Sequence, residues 1–140
     1  LIYPVGDCTA PAGGSYRQFA EGYLLDRKLM DRFIGDYLPG DGEVSDAAVS
    51  PLLHPLPLAL PPALVLTAGL DPLRDQGRDL ARNLVVHGVE THYIEAEGLI
   101  HGMATMRKSF PTADRIIRRA TALFAELIRT EQDKREESAA

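Results

Sequence analysis

What most restricts the fold of this chain is a strand, helix and strand in succession between Ala63 and Glu95. Ala63 to Ala68 is a short apolar run between a Pro pair and Gly69, the length of a strand buried on both faces of a parallel sheet. Asp71 follows within one turn. Asp75 is placed to cap a helix on which Leu80, Ala81, Leu84 and Val85 share a face, and Gly88 supplies a stop. A second strand, Thr91 to Glu95, completes a βαβ unit, whose strands are parallel and whose crossover is right-handed. The C-terminal ends of both strands then share one edge, the edge at which open α/β sheets bind ligands. That edge carries Asp71 after the first strand and His101 after the second. Read from the residues alone, Asp71 is either a catalytic carboxylate or a turn former before Pro72, and His101 either a base or a buried, hydrogen-bonded histidine.

Asp71-Pro72-Leu73-Arg74-Asp75 with Gly77, followed by Gly98-Leu99-Ile100-His101-Gly102, resembles the C-terminal part of the hormone-sensitive-lipase-like α/β-hydrolases, mainly bacterial carboxylesterases. Leu1-Ile2-Tyr3-Pro4-Val5 and Ser50-Pro51-Leu52 sit where that family has similar stretches, so the resemblance covers nearly the whole chain. It implies a carboxylic ester hydrolase, esterase or lipase in type, working by a Ser-His-Asp triad in which Asp71 is the acid and His101 the base. The order acid then His is that of α/β-hydrolases. The fold implied is the C-terminal portion of an α/β-hydrolase: about three parallel strands with flanking helices, and a helical segment within residues 10–60 that contributes to a cap. Two departures, Met103 where the family often has an aromatic and Gln76 where it often has an acid, bear on pocket shape rather than on reaction class.

An ester carbonyl reacts poorly with an un-ionised hydroxyl, so a base must remove the serine proton and later return it to the leaving alcohol. Imidazole titrates near neutrality and suits both steps, and a carboxylate on its other nitrogen fixes the tautomer. The nucleophile itself is missing. Neither Gly-x-Ser-x-Gly nor a His-Gly-Gly-Gly oxyanion motif occurs, and Gly13-Gly14-Ser15-Tyr16-Arg17 fails at its last position with no strand before it. Ser15, Ser45, Ser50, Ser109 and Cys8 all lack a strand-turn-helix setting. The chain opens inside an expected buried strand, Leu1 to Val5, and not with Met. Residues 1–129 therefore read as the C-terminal part of one domain, inactive alone, whose partner is the missing N-terminal part of the same fold. By itself that opening strand would expose an edge and favour aggregation. The alternative function is a non-catalytic small-molecule-binding protein on the same scaffold, a role with no need of the Asp71 and His101 pair.

Composition narrows the partners. With 45% apolar and 25% charged residues the chain is an ordinary globular one, and a net charge of -5 without a basic cluster disfavours nucleic acid or an anionic membrane surface. A small ester is the expected substrate. The single Cys8 excludes an internal disulfide and fits a reducing compartment, so the cytoplasm is the expected location. No apolar run approaches the roughly 20 residues of a membrane span, and no signal peptide opens the chain. No cofactor is expected, and Asp71, Asp75 and His101 do not fall at a recognised metal-ligand spacing, so no metal is expected either.

Gly6 to Gly14 spells a loop, and two helices are expected after it. Tyr16, Phe19, Ala20, Tyr23 and Leu24 share a face in the first; in the second, opened by Asp26, the apolar positions are Leu29, Met30, Phe33, Ile34, Tyr37 and Leu38. Such stripes ordinarily pack on the sheet. The family resemblance implies instead a cap, in which Phe19, Tyr23, Leu24 and Met30 border the acyl pocket beside Ile100 and Met103. Residues 39–62 read as an irregular connection, and His54, His87 and His92 as ordinary surface or structural histidines. Pro111 and Thr112 start a last helix with Ile116, Ile117, Ala120, Leu123, Phe124, Leu127 and Ile128 on one face. Residues 130–140 are charged without an apolar stripe and are expected to fray.

Overall fold

The computed structural model describes residues 1–38 and 44–139, the last of these as backbone only; 39–43 of the expected irregular connection and residue 140 of the charged tail lie outside the described residues. The elements are α1 (Gly14–Gln18), α2 (Arg27–Tyr37), a 3-10 turn at Pro51–Leu53, β1 (Ala63–Leu70), α3 (Arg74–Val86), β2 (Thr91–Ile100) and α4 (Pro111–Ala139). β1 and β2 pair in parallel, with Ala63 opposite Thr91. The opening residues run along the other edge of β1, where Ile2 bridges Leu66 in parallel. Tyr3 N–H donates to the Leu66 carbonyl at 2.8 Å, and Leu66 N–H to that of Leu1 at 2.9 Å. β1 is therefore the middle of three parallel segments.

Its apolar run behaves as a doubly buried strand should. Leu64 and Leu66 point to one face, where they meet Ile94, Ala96, Ile117, Ala120 and Leu127 under α4. Val65 points to the other, against Leu80, Ala81 and Leu84 of α3. This alternation is the period of two of a pleated strand. Gly77 lets α3 come close: a Cβ there would lie 2.2 Å from Thr67 Cγ2 of β1. Gly88, at φ +83, ends the helical turn that follows α3, as its position suggested.

Several local expectations need correction. The first helix stops at Gln18, because Gly22 takes a left-handed φ of +86 and the chain bends back so that Arg27 N–H donates to the Ala20 carbonyl at 3.1 Å. Asp26 does cap α2, its Oδ1 accepting from Leu29 N–H at 2.8 Å. The stripe of α2 does not dock on the sheet; Met30 joins Tyr16, Leu25 and Leu73 in a separate cluster, and Phe33 and Tyr37 stay exposed. Asp75 is not the N-cap of α3. That helix starts at Arg74, and the Asp75 N–H is satisfied from 60 residues away by Ser15 Oγ at 3.0 Å, while the Asp75 carboxylate accepts from Ser15 N–H at 2.7 Å. Val85 faces solvent rather than β1. The charged stretch 130–139 continues α4 instead of fraying, with Lys134 Nζ 2.7 Å from Glu131 one turn before it and 3.7 Å from Glu90. No helix among the described residues is long and apolar enough to cross a membrane.

Candidate active site

A register change at the end of the sheet builds the site. Ala68 faces Ala96, yet Leu70 faces Ile100, so β2 carries two extra residues over that interval. Gly69 makes room for the bulge, since a Cβ on it would sit 3.0 Å from the Glu97 Cα, and Gly98 supplies a φ of +71. Asp71 and His101 each follow the paired residues Leu70 and Ile100 directly. Without the surplus the residue opposite Asp71 would be Leu99.

His101 Nδ1–H donates to Asp71 Oδ2 at 2.8 Å. The other oxygen, Oδ1, accepts from Leu73 N–H at 2.9 Å, so this carboxylate, 1% exposed, is satisfied on both sides. An ionised carboxylate only accepts, which puts the His101 proton on Nδ1 and leaves Nε2 with its lone pair. The imidazole remains 28% exposed. Gly102, at φ +79, turns the chain immediately after it. Asp71 both closes the turn to Leu73 and partners His101, through different oxygens.

The imidazole looks into a cleft of about 600 Å³ whose walls are largely apolar: Leu25, Met30, Phe33, Ile34, Tyr37 and Leu73, with Tyr3 and Cys8 among its polar members. Burial pushes the Cys8 thiol up from its ordinary value, which favours the thiol over the thiolate. Of the six residues expected to border substrate, Met30 lies on this cleft. Met103 is 1% exposed and packs with Ile117 and Ala96 under the sheet. Phe19 is also buried, sandwiched edge to face with Tyr23 at 5.1 Å and under the Arg74 guanidinium at 5.0 Å. Ile100 is the last residue of β2, and Leu24 is exposed beside Gly102. None of these five lines the cleft as Met30 does.

In the sequence Tyr3 is part of the opening strand, and no periodicity marks it as a site residue. Its ring lies 4.7 Å from that of His101, and Tyr3 Oη accepts from Ala104 N–H at 3.0 Å. Ser15, Ser50, His54 and His87 have other partners. Ser15 Oγ donates to the Pro72 carbonyl at 2.7 Å, and Ser50 Oγ accepts from Cys8 N–H at 2.8 Å. His54 and His87 bond the carbonyls of Ser45 and Pro57. Among the described residues no serine hydroxyl is hydrogen-bonded to His101.

Residues 1–105 match the family of the alpha/beta hydrolase fold. The chain is similar to an ethyl acetate hydrolase of Pseudomonas putida, 34% identical over 116 residues, covering 81% of this chain and 36% of that protein. It is 36% identical over 107 residues to the carboxylic ester hydrolase LipN of Mycobacterium tuberculosis, covering 76% of this chain and 28% of that one. Among solved structures, a fungal esterase of Rhizomucor miehei superposes with a TM-score of 0.82 at 33% identity, covering 93% of this chain and 41% of its own. An ester hydrolase from the metagenome of Lake Arreo, solved with a derivative of bipyridine phosphonate, gives 0.79 at 39%, covering 88% and 39%. The chain spans about a third of the length of the curated relatives it matches.

Proposed function

The chain belongs to the α/β-hydrolase fold family, and from that premise we propose that the protein carrying it is a carboxylic ester hydrolase of the hormone-sensitive-lipase-like kind, with Asp71 and His101 as acid and base of a Ser-His-Asp triad. The observation that carries this reading is the 2.8 Å bond from His101 Nδ1–H to a buried Asp71, at the C-terminal edge of a parallel sheet and facing an apolar cleft. The relatives named as ester hydrolases support the same reaction class.

In this mechanism His101 Nε2 takes the proton of a serine hydroxyl as its oxygen adds to the ester carbonyl. Asp71 stabilises the imidazolium so formed and holds the ring in the one tautomer that can accept. The tetrahedral adduct collapses, the imidazolium returns the proton to the departing alcohol, and water repeats the sequence on the acyl-enzyme. The serine and the oxyanion donors come from outside these 140 residues, which contain no Gly-x-Ser-x-Gly. The chain alone is therefore inactive in this reading. A small neutral ester whose apolar group rests against Met30 and its neighbours is the substrate class that suits the cleft.

Fluorophosphonate labelling of the native protein tests this. The expected result is a labelled band, identified by peptides of this chain, at about twice its mass of 15.3 kDa or more. An unlabelled band of that size would overturn the hydrolase reading in favour of a binding protein. A labelled species of 15.3 kDa would show that the nucleophile lies within these residues after all.

A further inference from the structure

Resting on the reading of His101 as the base, we propose that Tyr3 is a positioning residue that holds the His101 imidazole and the turn after it in register with Asp71. Tyr3 stands before Pro4, where a residue is ordinarily extended, yet its φ is +49, in the left-handed region that favours glycine. A bulky aromatic kept in that conformation beside a functional pair marks a place where the surroundings over-determine the backbone. The surroundings are identifiable. Tyr3 N–H is pinned to the Leu66 carbonyl of β1 at 2.8 Å, which fixes where the side chain departs. The ring then lies against the imidazole, centroids 4.7 Å apart and planes at 49°. Beyond the ring, Oη accepts from Ala104 N–H at 3.0 Å, across 101 residues of sequence.

One residue thus links the middle strand, through its backbone, to His101 and Ala104, through its side chain. The bond to Asp71 fixes only Nδ1; the imidazole could still swing about that contact, and the tilted Tyr3 ring closes off one side of the swing. The hydroxyl bond holds Ala104, and with it the turn that starts at Gly102. Burial and the nearby Asp71 charge push the Tyr3 phenol up from its ordinary value despite the Ala104 bond, so it stays a neutral hydroxyl throughout the range in which His101 would work. The ring supplies orientation, and the hydroxyl supplies the anchor.

Two substitutions in the whole protein separate these parts: Tyr3→Leu removes both ring and hydroxyl, and Tyr3→Phe removes the hydroxyl alone. With p-nitrophenyl acetate as substrate and fluorophosphonate titration to count competent sites, Tyr3→Leu is expected to lower kcat per competent site by about 10²-fold, with KM within about twofold, the size of effect that follows small misplacements of a catalytic group. Tyr3→Phe is expected to retain most of the lost rate. Wild-type kcat per competent site in Tyr3→Leu would overturn the proposal, as would a loss confined to the number of competent sites, which is the signature of a merely structural residue. Histidine NMR needs no turnover. A His101 Nδ1–H signal protected from exchange in wild type and Tyr3→Phe but lost in Tyr3→Leu supports the positioning role, and an unchanged signal in Tyr3→Leu refutes it. If the wild-type protein neither labels nor hydrolyses, the hydrolase reading fails, and the NMR comparison still decides the role of Tyr3.

Discussion

Gly77→Ala is the substitution whose consequence can be worked most directly from the packing of α3 on β1. The new methyl would lie 2.2 Å from Thr67 Cγ2, a shortfall of roughly 1 Å or more against an ordinary carbon contact. Thr67 cannot yield cheaply. Its Cγ2 and Oγ1 turn together about one torsion, and Oγ1 is bonded to Tyr93 Oη at 2.8 Å. Either that bond is lost or α3 moves off the strand, and overpacking of this kind costs about 1–3 kcal/mol. Replacing glycine in a helix by alanine returns at most about 1 kcal/mol. The net expectation is a loss of about 1–2 kcal/mol, which lowers the urea midpoint by about 0.5–1 M for an m-value near 2 kcal/mol/M. Equilibrium unfolding followed by far-UV circular dichroism measures this. Thr67→Ser keeps the hydroxyl and removes the methyl, so the double variant should regain at least half of the loss. A Gly77→Ala protein as stable as wild type, or a double variant with no recovery, would refute the account of how α3 is seated.

Asp71→Asn leaves His101 in place but deprives it of its charged partner, and turnover of p-nitrophenyl acetate by the whole protein should fall by about 10⁴; a fall of less than tenfold would remove Asp71 from the mechanism. Gln76→Ala leaves the N–H groups of Gly6 and Asp7 without the Oε1 that accepts from them at 2.8 and 3.0 Å. It should therefore cost about 2–4 kcal/mol in urea unfolding. Gln76→Glu keeps both acceptances but replaces the Nε2–H donor with a carboxylate oxygen facing the Asp7 carbonyl at a buried position, so it too should lower the urea midpoint. Burial alone would raise the Glu95 carboxyl. The two-pronged bond from Arg78, the Tyr93 hydroxyl and the charges of Arg78 and Arg74 outweigh it and hold Glu95 below the usual carboxylate range. Its contribution is then complete above the unfolded value of about 4 and is lost as pH falls through the depressed one. The urea midpoint of wild type should thus drop more steeply below about pH 4 than that of Glu95→Gln, and parallel acid limbs would show that the pair contributes nothing.

The βαβ unit was legible because its signals are local: an apolar run between breakers, a helical face, a glycine stop. That Asp71 and His101 share one edge was legible because parallel strands bring their C-terminal ends together; that they stand directly opposite one another was not, since this rests on the two surplus residues of β2. Tertiary effects were not. The Asp75 N–H is capped by Ser15 from 60 residues away, which no local capping rule can anticipate. The α2 stripe looked like sheet-packing surface because periodicity records that a face is apolar, not what it covers; here it walls the cleft. Met103 stands two residues after His101, but the turn at Gly102 sends its side chain beneath the sheet. Tyr3 stands in a stretch that resembles the family, but no local rule marks its side chain, whose contacts with His101 and Ala104 cross about a hundred residues.

The two surplus residues of β2 mean that the alignment of acid and base is counted in chain length as well as held by side chains. Deleting Gly98 would draw every later residue back one place, and Gly102 would arrive where the imidazole now stands, although Asp71 and His101 would both still be in the sequence. Inserting a residue into β1 beside Gly69 would do the same from the opposite strand. The number of residues at the bulge can therefore change only in compensating pairs, a constraint separate from the one that keeps Gly69 and Gly98 without side chains.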